Sequence, residues 1–570
     1  MVATTNATLL RWGRGIAAKA PLVLRACAAH PGAAILGVSG CVAAAIFSVT
    51  EPRHYAGDTN SYFIYAEALA KLTINPGVHY RAAGYPWLIT ATLYPWTKSL
   101  LGILAAQAAF AALTPWLIYK ILSYVSKPVA IVAAVLSIAS LLPNLFQTLL
   151  FPDQAQMFMD ILFCYVLIRY WFGSTTKNMV WLFTVYAGLS FLRPLFLLDF
   201  ILLPLVVGAP AWRHRKQFSY AHYLKPFAAL SICVACLHIS AAALDQHFYT
   251  RAQQEKPSMN GKMLFLNAFV DSVGVPGAFN DGKYTTIFRN KLVDFFRNAP
   301  ADLRNIRNLR PDIAGHFIQY QDDPPRMVDA ILSERNNETW WILFNISELY
   351  FGGKDDPLFM KVALEQYWLH PKIAWNVLSR GFSYYLGARA CEAPPSGGPS
   401  EYQCSYFYIS SPKHEYVGYP QFGPYTGMGI HAERLLGKPA LAEIEAPFTA
   451  YATAVFPYLY RAILGGGALL MLGGLIFSFY RIFFRKELCR TQSELPVLLA
   501  VTAVYLLYIG PMIVLTDPEF RYVSAGALFL LMSGLLSLRM LLVAGSCALR
   551  SADGLRTFRR KILEACNVRY

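Results

Sequence analysis

Gly32-Ala-Ala-Ile-Leu-Gly-Val-Ser-Gly-Cys-Val-Ala-Ala-Ala-Ile-Phe-Ser-Val49, followed at once by Thr50-Glu-Pro-Arg-His-Tyr-Ala-Gly-Asp58-Thr-Asn-Ser-Tyr62, decides the fold. The first part carries no charge and comes close to the ~20 residues that cross a bilayer. The second places an acid just outside that span. The basic lead before it (Arg11, Arg14, Lys19, Arg25) is long, and no cleavage site marks the junction. The expectation is a retained first helix rather than a removed leader. Working outward, comparable apolar runs fall at roughly 32–49, 99–122, 128–149, 155–172, 179–193, 196–212, 224–244, 457–480, 496–515 and 522–544. That is about ten spans. Composition agrees, with 55% hydrophobic residues in a chain of 570. The expected fold class is an all-α polytopic membrane protein.

The formal net charge of +16 invites a nucleic-acid reading. Its distribution argues otherwise, because cytoplasmic loops of membrane proteins collect Lys and Arg. Lys177 lies between the fourth and fifth spans. Arg213, Arg215 and Lys216 follow the sixth, and Arg481, Arg485, Lys486 and Arg490 follow the eighth. Arg550, Arg556, Arg559, Arg560 and Lys561 follow the last. Alternating the spans puts all these clusters and both termini on the cytoplasmic side. The loop with Asp58 then faces outward. Membrane lipids are expected partners and nucleic acid is not.

Two regions interrupt the spans and set the domain plan. Residues 1–244 form an N-terminal membrane module with a first outer loop over 50–97. Within it, Tyr62, Tyr65, Ala66 and Leu69 have helical spacing, which predicts a helix lying on the membrane surface. A second short helix is expected to begin near Tyr85-Pro86. Residues 245–456 are too polar to span and long enough for a folded extracytoplasmic domain of mixed structure. It is inserted before the last three helices, which with a basic tail make up 457–570. Within it, Trp340, Trp341, Leu343, Phe344, Leu349 and Tyr350 predict an interfacial amphipathic helix. Cys233-x-x-Cys236 sits in an apolar run with no second pair, and packing explains it best. Cys391 and Cys404 flank a Pro/Gly/Ser-rich turn of the outer region, where no other cysteine lies, so a disulfide is expected.

The chemistry-bearing residues crowd the outer side. Asp58 is followed in the same loop by Tyr80-Arg81-Ala-Ala-Gly84-Tyr85-Pro86. A carboxylate there can take a proton from an attacking hydroxyl, and a guanidinium can hold a departing phosphate. The bland alternative for Asp58 is a cap on a helix starting near Thr59. Asp153 stands at the outer junction of the third and fourth spans. Asp160, seven residues on, shares its helix face. An acid two turns into a span marks a functional site or a partner on a neighbouring helix. Arg193-Pro194 ends the fifth span, where phosphate contact and snorkelling to headgroups compete. Asp517-Pro-Glu519-Phe-Arg521-Tyr522 joins the last two spans, and Arg521 has phosphate binding or a pair with Glu519 as its contending roles. No Gly-rich Gly-Lys-Ser/Thr phosphate loop occurs, which argues against ATP-driven work. No His/Cys spacing fits zinc.

Gly57-Asp58-Thr-Asn-Ser-Tyr62, Arg81-Ala-Ala-Gly84-Tyr85-Pro86, Asp153, Leu192-Arg193-Pro194 and Glu519-Phe-Arg521-Tyr522, in this order and on one side, resemble the GT-C superfamily of membrane glycosyltransferases. The likeness is to the bacterial branch that includes aminoarabinose transferase, protein O-mannosyltransferases and the lipopolysaccharide-core glycosyltransferases of rhizobia. It covers roughly the first 245 residues and the final helices. The family's first loop often reads Arg-Pro-Pro-Gly-Tyr-Pro, and here Ala82 and Ala83 replace the two central prolines. The resemblance implies a sugar donor on polyprenyl phosphate and an inner-membrane enzyme working on the extracytoplasmic face. It implies Asp58 as catalytic base and Asp153 as the second-loop acid. Arg81, Tyr85, Arg193, Glu519, Arg521 and Tyr522 are the expected substrate contacts. The acceptor would be a hydroxyl on an envelope glycan, lipid or protein. Some members hold a divalent metal between such acids and others do not, so a metal stays open and no other cofactor is expected. Two further classes compete: a transporter or flippase of lipid-linked glycans, and a ligase or polymerase of whole glycans. Transporters place charges near the midplane and often repeat their halves. Here the charges crowd one edge.

Overall fold

The computed structural model describes residues 29–49, 56–71, 84–192, 220–251, 260–311, 313–351, 354–386, 455–480, 494–515, 523–524 and 526–544. Among them every regular element is helical. The N-terminal module contains α1 (Pro31–Val49), α2 (Ala56–Lys71), α3 (Gly84–Ala91), α4 (Leu101–Ser123), α5 (Lys127–Ala139), α6 (Asp153–Phe172), α7 (Thr176–Leu192) and α8 (Tyr220–Arg251). Among the described residues four helices are long and apolar enough to cross a membrane: Leu101–Ser123, Asp153–Phe172, Tyr458–Tyr480 and Gly526–Ala544. The chain is therefore a helical, membrane-embedded protein. Several shorter apolar helices, among them α5, join them.

α5 corrects one boundary. The apolar run 128–149 reads as a single span, but the helix stops at Ala139. Leu141 takes a left-handed conformation (φ 54°), and Leu142-Pro143-Asn144 makes a 3-10 turn. Proline removes a donor and restricts the residue before it, which ends the helix inside an apolar stretch. The expected span at 196–212 lies outside the described residues.

α4 packs on α1, α5 and α6, and α7 packs between α6 and α8. From the C-terminal part, α15 runs through Phe456–Arg461, a π-helical segment Ala462–Gly466 and Gly467–Tyr480. α16 is Glu494–Leu515 and α17 is Gly526–Ala544. These close on the N-terminal module: α16 packs on α6, and both parts share one apolar core. At one end the Arg539 guanidinium on α17 donates to Glu494 of α16 (2.7 Å) and to the Ser126 hydroxyl between α4 and α5 (3.1 Å).

The region 260–386 has a separate apolar core. Mixed structure was expected over 245–456; in its described part α9 (Asn260–Val270), α10 (Lys283–Asn298), α11 (Pro324–Glu334), α12 (Asn337–Tyr350), α13 (Asp356–Leu369) and α14 (Pro371–Tyr385) are all helices, with no strand among the described residues. Helical spacing decides this. Phe288, Leu292, Phe295 and Phe296 line one face of α10, and Met327, Val328, Ile331 and Leu332 one face of α11. Phe265 is the hub, with ring centroids of Phe269, Phe279, Phe288, Trp340 and Phe359 at 4.9–5.9 Å. α12 opens with a capping box between Asn336 and Thr339. It was expected at the membrane interface, but Trp340, Ile342, Leu343 and Ile346 are buried in this domain core.

Glu365 of α13 caps α10 from outside. Its carboxylate accepts from the backbone N–H of Tyr284 (3.0 Å) and Thr285 (2.8 Å) and from the Thr285 hydroxyl (2.9 Å). Gly282 precedes it at φ 123°, and a Cβ there would overlap that carboxylate. Burial alone would raise the Glu365 pKa, but the hydrogen bonds from Tyr284 and Thr285 outweigh it and hold the carboxyl below its usual value. A depressed folded pKa stabilises fully above the unfolded value, ~4.3 for Glu. The gain is lost as pH falls through the lower folded value. Thermal unfolding of the wild-type protein is expected to drop through that acid window. Glu365→Gln should be less stable at neutral pH and flatter across the window. Parallel acid profiles for the two proteins would refute the linkage.

Candidate functional site

α2 begins at Ala56, so Asp58 lies in its first turn and is not the cap of a helix starting near Thr59. The first turn is where a helix favours negative charge. One face of α2 packs against the rest of the chain. Thr59, Ser61, Tyr62, Phe63, Tyr65 and Ala66 are buried. Tyr62, one turn after Asp58, meets the rings of Tyr85 and Phe151 edge-on, both at 5.4 Å.

α3 forms where Tyr85-Pro86 predicts a helix, and its start is pressed against the end of α7. A Cβ on Gly84 would lie 2.7 Å from the backbone of Phe191 and Leu192. Glycine is required by this close approach. The start of α3 and the end of α7 therefore lie side by side. Tyr85 is fully buried, and its hydroxyl donates to Gln107 Oε1 at 2.7 Å. Gln107 Nε2 in turn donates to the carbonyls of Gln147 and Leu149, each at 2.9 Å. Gln147 Nε2 reaches the Ala43 carbonyl at 2.7 Å, and Gln154 Nε2 the Pro143 carbonyl at 2.9 Å. These amides satisfy the irregular backbone of 140–152, which otherwise would sit unpaired in an apolar setting.

That latch delivers Asp153 to the first turn of α6, where it is only 3% exposed. Burial, then Tyr62, then the Asp153 carboxylate push the Tyr85 phenol well above its ordinary pKa. Tyr85 thus stays a neutral hydrogen-bond donor beside an acid. Gln156 and Asp160 follow on the same face of α6, each 1% exposed. Neither amide atom of Gln156 has a hydrogen-bond partner. At the end of α7 the Ser190 hydroxyl and the His238 ring are 2.8 Å apart, and that ring stacks on Phe191 at 4.6 Å.

The geometry brings together Tyr85, Asp153 and the stretches that lead to Asp58, Arg81 and Arg193. Arg81, Arg193, Glu519, Arg521, Tyr522, Cys391 and Cys404 themselves lie outside the described residues. Just past Tyr522, Val523 is buried in the shared core, and Ser524 bonds the Tyr460 hydroxyl at 3.0 Å. Sequence reasoning missed Tyr62, Gln107, Gln156 and His238. The amides carried a readable signal, since an uncharged polar side chain within an apolar run asks for a partner. Among the described residues no group of three His, Cys, Asp or Glu is placed to hold a metal ion. Chemically, the site sets a buried acid near a neutral phenol within a helical bundle. Compared with models of known protein families, with curated proteins and with solved structures, the chain matches none.

Proposed function

We propose that this protein is a glycosyltransferase of the bacterial inner membrane. It moves a sugar from a polyprenyl-phosphate carrier to an extracytoplasmic hydroxyl on a glycan, lipid or protein. One observation carries the reading: Tyr85 lies beside Asp153 while Gly84 abuts Leu192. Three stretches far apart in the chain, each with an acid or an arginine, thereby meet at one end of an apolar bundle. An acid in this apolar bundle, with the arginines that the sequence supplies next to these stretches, suits a donor that arrives through lipid and leaves as a phosphate.

In this reaction the acceptor oxygen attacks the anomeric carbon as Asp58 takes its proton. The bond from that carbon to the carrier phosphate breaks, and polyprenyl phosphate departs with the electron pair. Arg81, Arg193 and Arg521 stabilise the charge that develops on the phosphate. Asp153 accepts from a hydroxyl of the bound sugar or acceptor, and Tyr85 fixes the position of that carboxylate's neighbourhood. Glu519 and Tyr522 complete the rim. A single displacement inverts the anomeric centre. No step requires a metal.

The test is to supply the purified protein with a panel of polyprenyl-phosphate sugars and an acceptor mixture. Release of free polyprenyl phosphate with one donor is expected. Movement of an intact lipid-linked glycan across vesicles, with no release, would replace this reading by transport.

A further inference from the structure

α14 exposes an apolar stripe. Trp375, Leu378 and Phe382 are 69%, 38% and 42% exposed and recur at i, i+3 and i+7, one face of the helix. The opposite face, Ile373, Val377, Gly381 and Tyr384, is buried. Of the polar side chains of α14, Lys372 and Ser379 are exposed, while Arg380 and Asn376 are held by the domain. Arg380 pairs with Asp271 at 2.9 Å and donates to Asn267 Oδ1 at 2.9 Å, and Asn376 donates to the Asp271 carbonyl. Past Lys372 in the first turn, the exposed positions of α14 carry no charge.

The course of α14 says what covers this stripe. A Cβ on Gly381 would lie 2.5 Å from Ile513 of α16. The Tyr385 carbonyl accepts from the Tyr505 hydroxyl of the same helix at 2.8 Å. Moving forward along α14 thus means moving back along α16. The two contacts are eight residues apart on α16, ~12 Å along a helix axis. α14 therefore descends beside an apolar helix of the bundle instead of resting on its rim. Tyr384 and Tyr385 belong to the bundle's own core. Leu506, next to Tyr505, is also exposed and continues the apolar surface.

We propose that α14 is embedded in lipid, with Leu378 and Phe382 against the acyl chains of one leaflet. Trp375, and the largely exposed Trp368 at the end of α13, lie at headgroup level. Indole rings favour that depth, having an apolar body and a polar N–H. In water, three large apolar side chains in a row would form an aggregation-prone patch. In lipid they complete the surface of the bundle. The helical domain is then fixed in height above the membrane by its own last helix, whatever reaction the protein performs.

The test places a photoreactive benzophenone side chain at position 378, 382 or, as a water-facing control, 287 of the full-length protein in phospholipid vesicles. Ile287 is an exposed residue of α10 in the same domain. Mass spectrometry after irradiation is expected to find phospholipid adducts from 378 and 382 severalfold above those from 287. Adducts no more frequent than at 287, or crosslinks to protein instead of lipid, would overturn the proposal. A second measurement needs no substitution. Under hydroxyl radicals in vesicles, Phe382 should oxidise severalfold more slowly than the less exposed Phe351. Faster oxidation of Phe382 would place it in water.

Discussion

Asp58→Asn is expected to lower kcat by about 10²-fold or more, because a positioned general base typically contributes ~10²–10⁴ in rate. Asparagine keeps the size and hydrogen-bonding shape of aspartate but cannot take the proton. Affinity for the polyprenyl-phosphate donor and thermal stability should change little, since a substitution away from buried networks usually stays within ~0.5 kcal/mol. Arg81→Ala should behave differently and weaken both carrier binding and rate, because the phosphate is charged before and after transfer. Turnover and donor affinity for both variants in one detergent preparation make the comparison. Near-normal turnover of a folded Asp58→Asn protein removes Asp58 as the base and moves attention to Asp153. That residue is buried beside Tyr85 and is the next carboxylate at the same end of the bundle.

The second large effect is on stability. Arg380→Ala should destabilise the protein by ~3–5 kcal/mol, the usual cost of removing one partner from a buried ion pair. The side chains of Arg380 and Asp271 are 8% and 10% exposed, so water cannot readily replace the guanidinium. The variant would leave Asp271 charged between α9 and α14. Adding Asp271→Asn should restore much of the loss, because a neutral amide costs far less to bury. Chemical denaturation of the three proteins reads this directly. A single variant as stable as wild type would mean that the pair is solvated. A double variant no better than the single would mean that the packing of Arg380, not its charge, matters.

How much of this was legible in the sequence depends on the kind of signal. Helices such as Leu101–Ser123 and Asp153–Phe172 were plain, because long, mostly apolar runs have one economical structure in lipid. The short helix from Gly84 was legible from Tyr85-Pro86. The early end of α5 was harder, since Ser140 to Leu142 are as compatible with a span as the residues before them. Only Pro143 and Asn144 warned of a break. The domain core was missed as an all-helical one. Its aromatic and Gly/Pro clusters drew attention away from the four-residue spacing of Phe288 and Leu292. At the site, Asp153 and Tyr85 could each be picked out alone. Their proximity could not, because it depends on Gln107 holding, from 40 residues away along the chain, the irregular segment that contains Gln147. Amide latches of this sort leave no periodicity for a sequence to show.

The bond from Arg539 to Ser126 spans 413 residues of sequence. Its consequence concerns biosynthesis. α17, made after α16, supplies the cation for Glu494, and it anchors to a turn made far earlier in synthesis. Until α17 arrives, Glu494 lacks that counter-ion, and the turn between α4 and α5 lacks its tether. Insertion is therefore finished by a single late event rather than helix by helix. A nascent chain halted before α17 would carry an uncompensated carboxyl among apolar helices, a chemical mark that separates an incomplete polypeptide from a finished one.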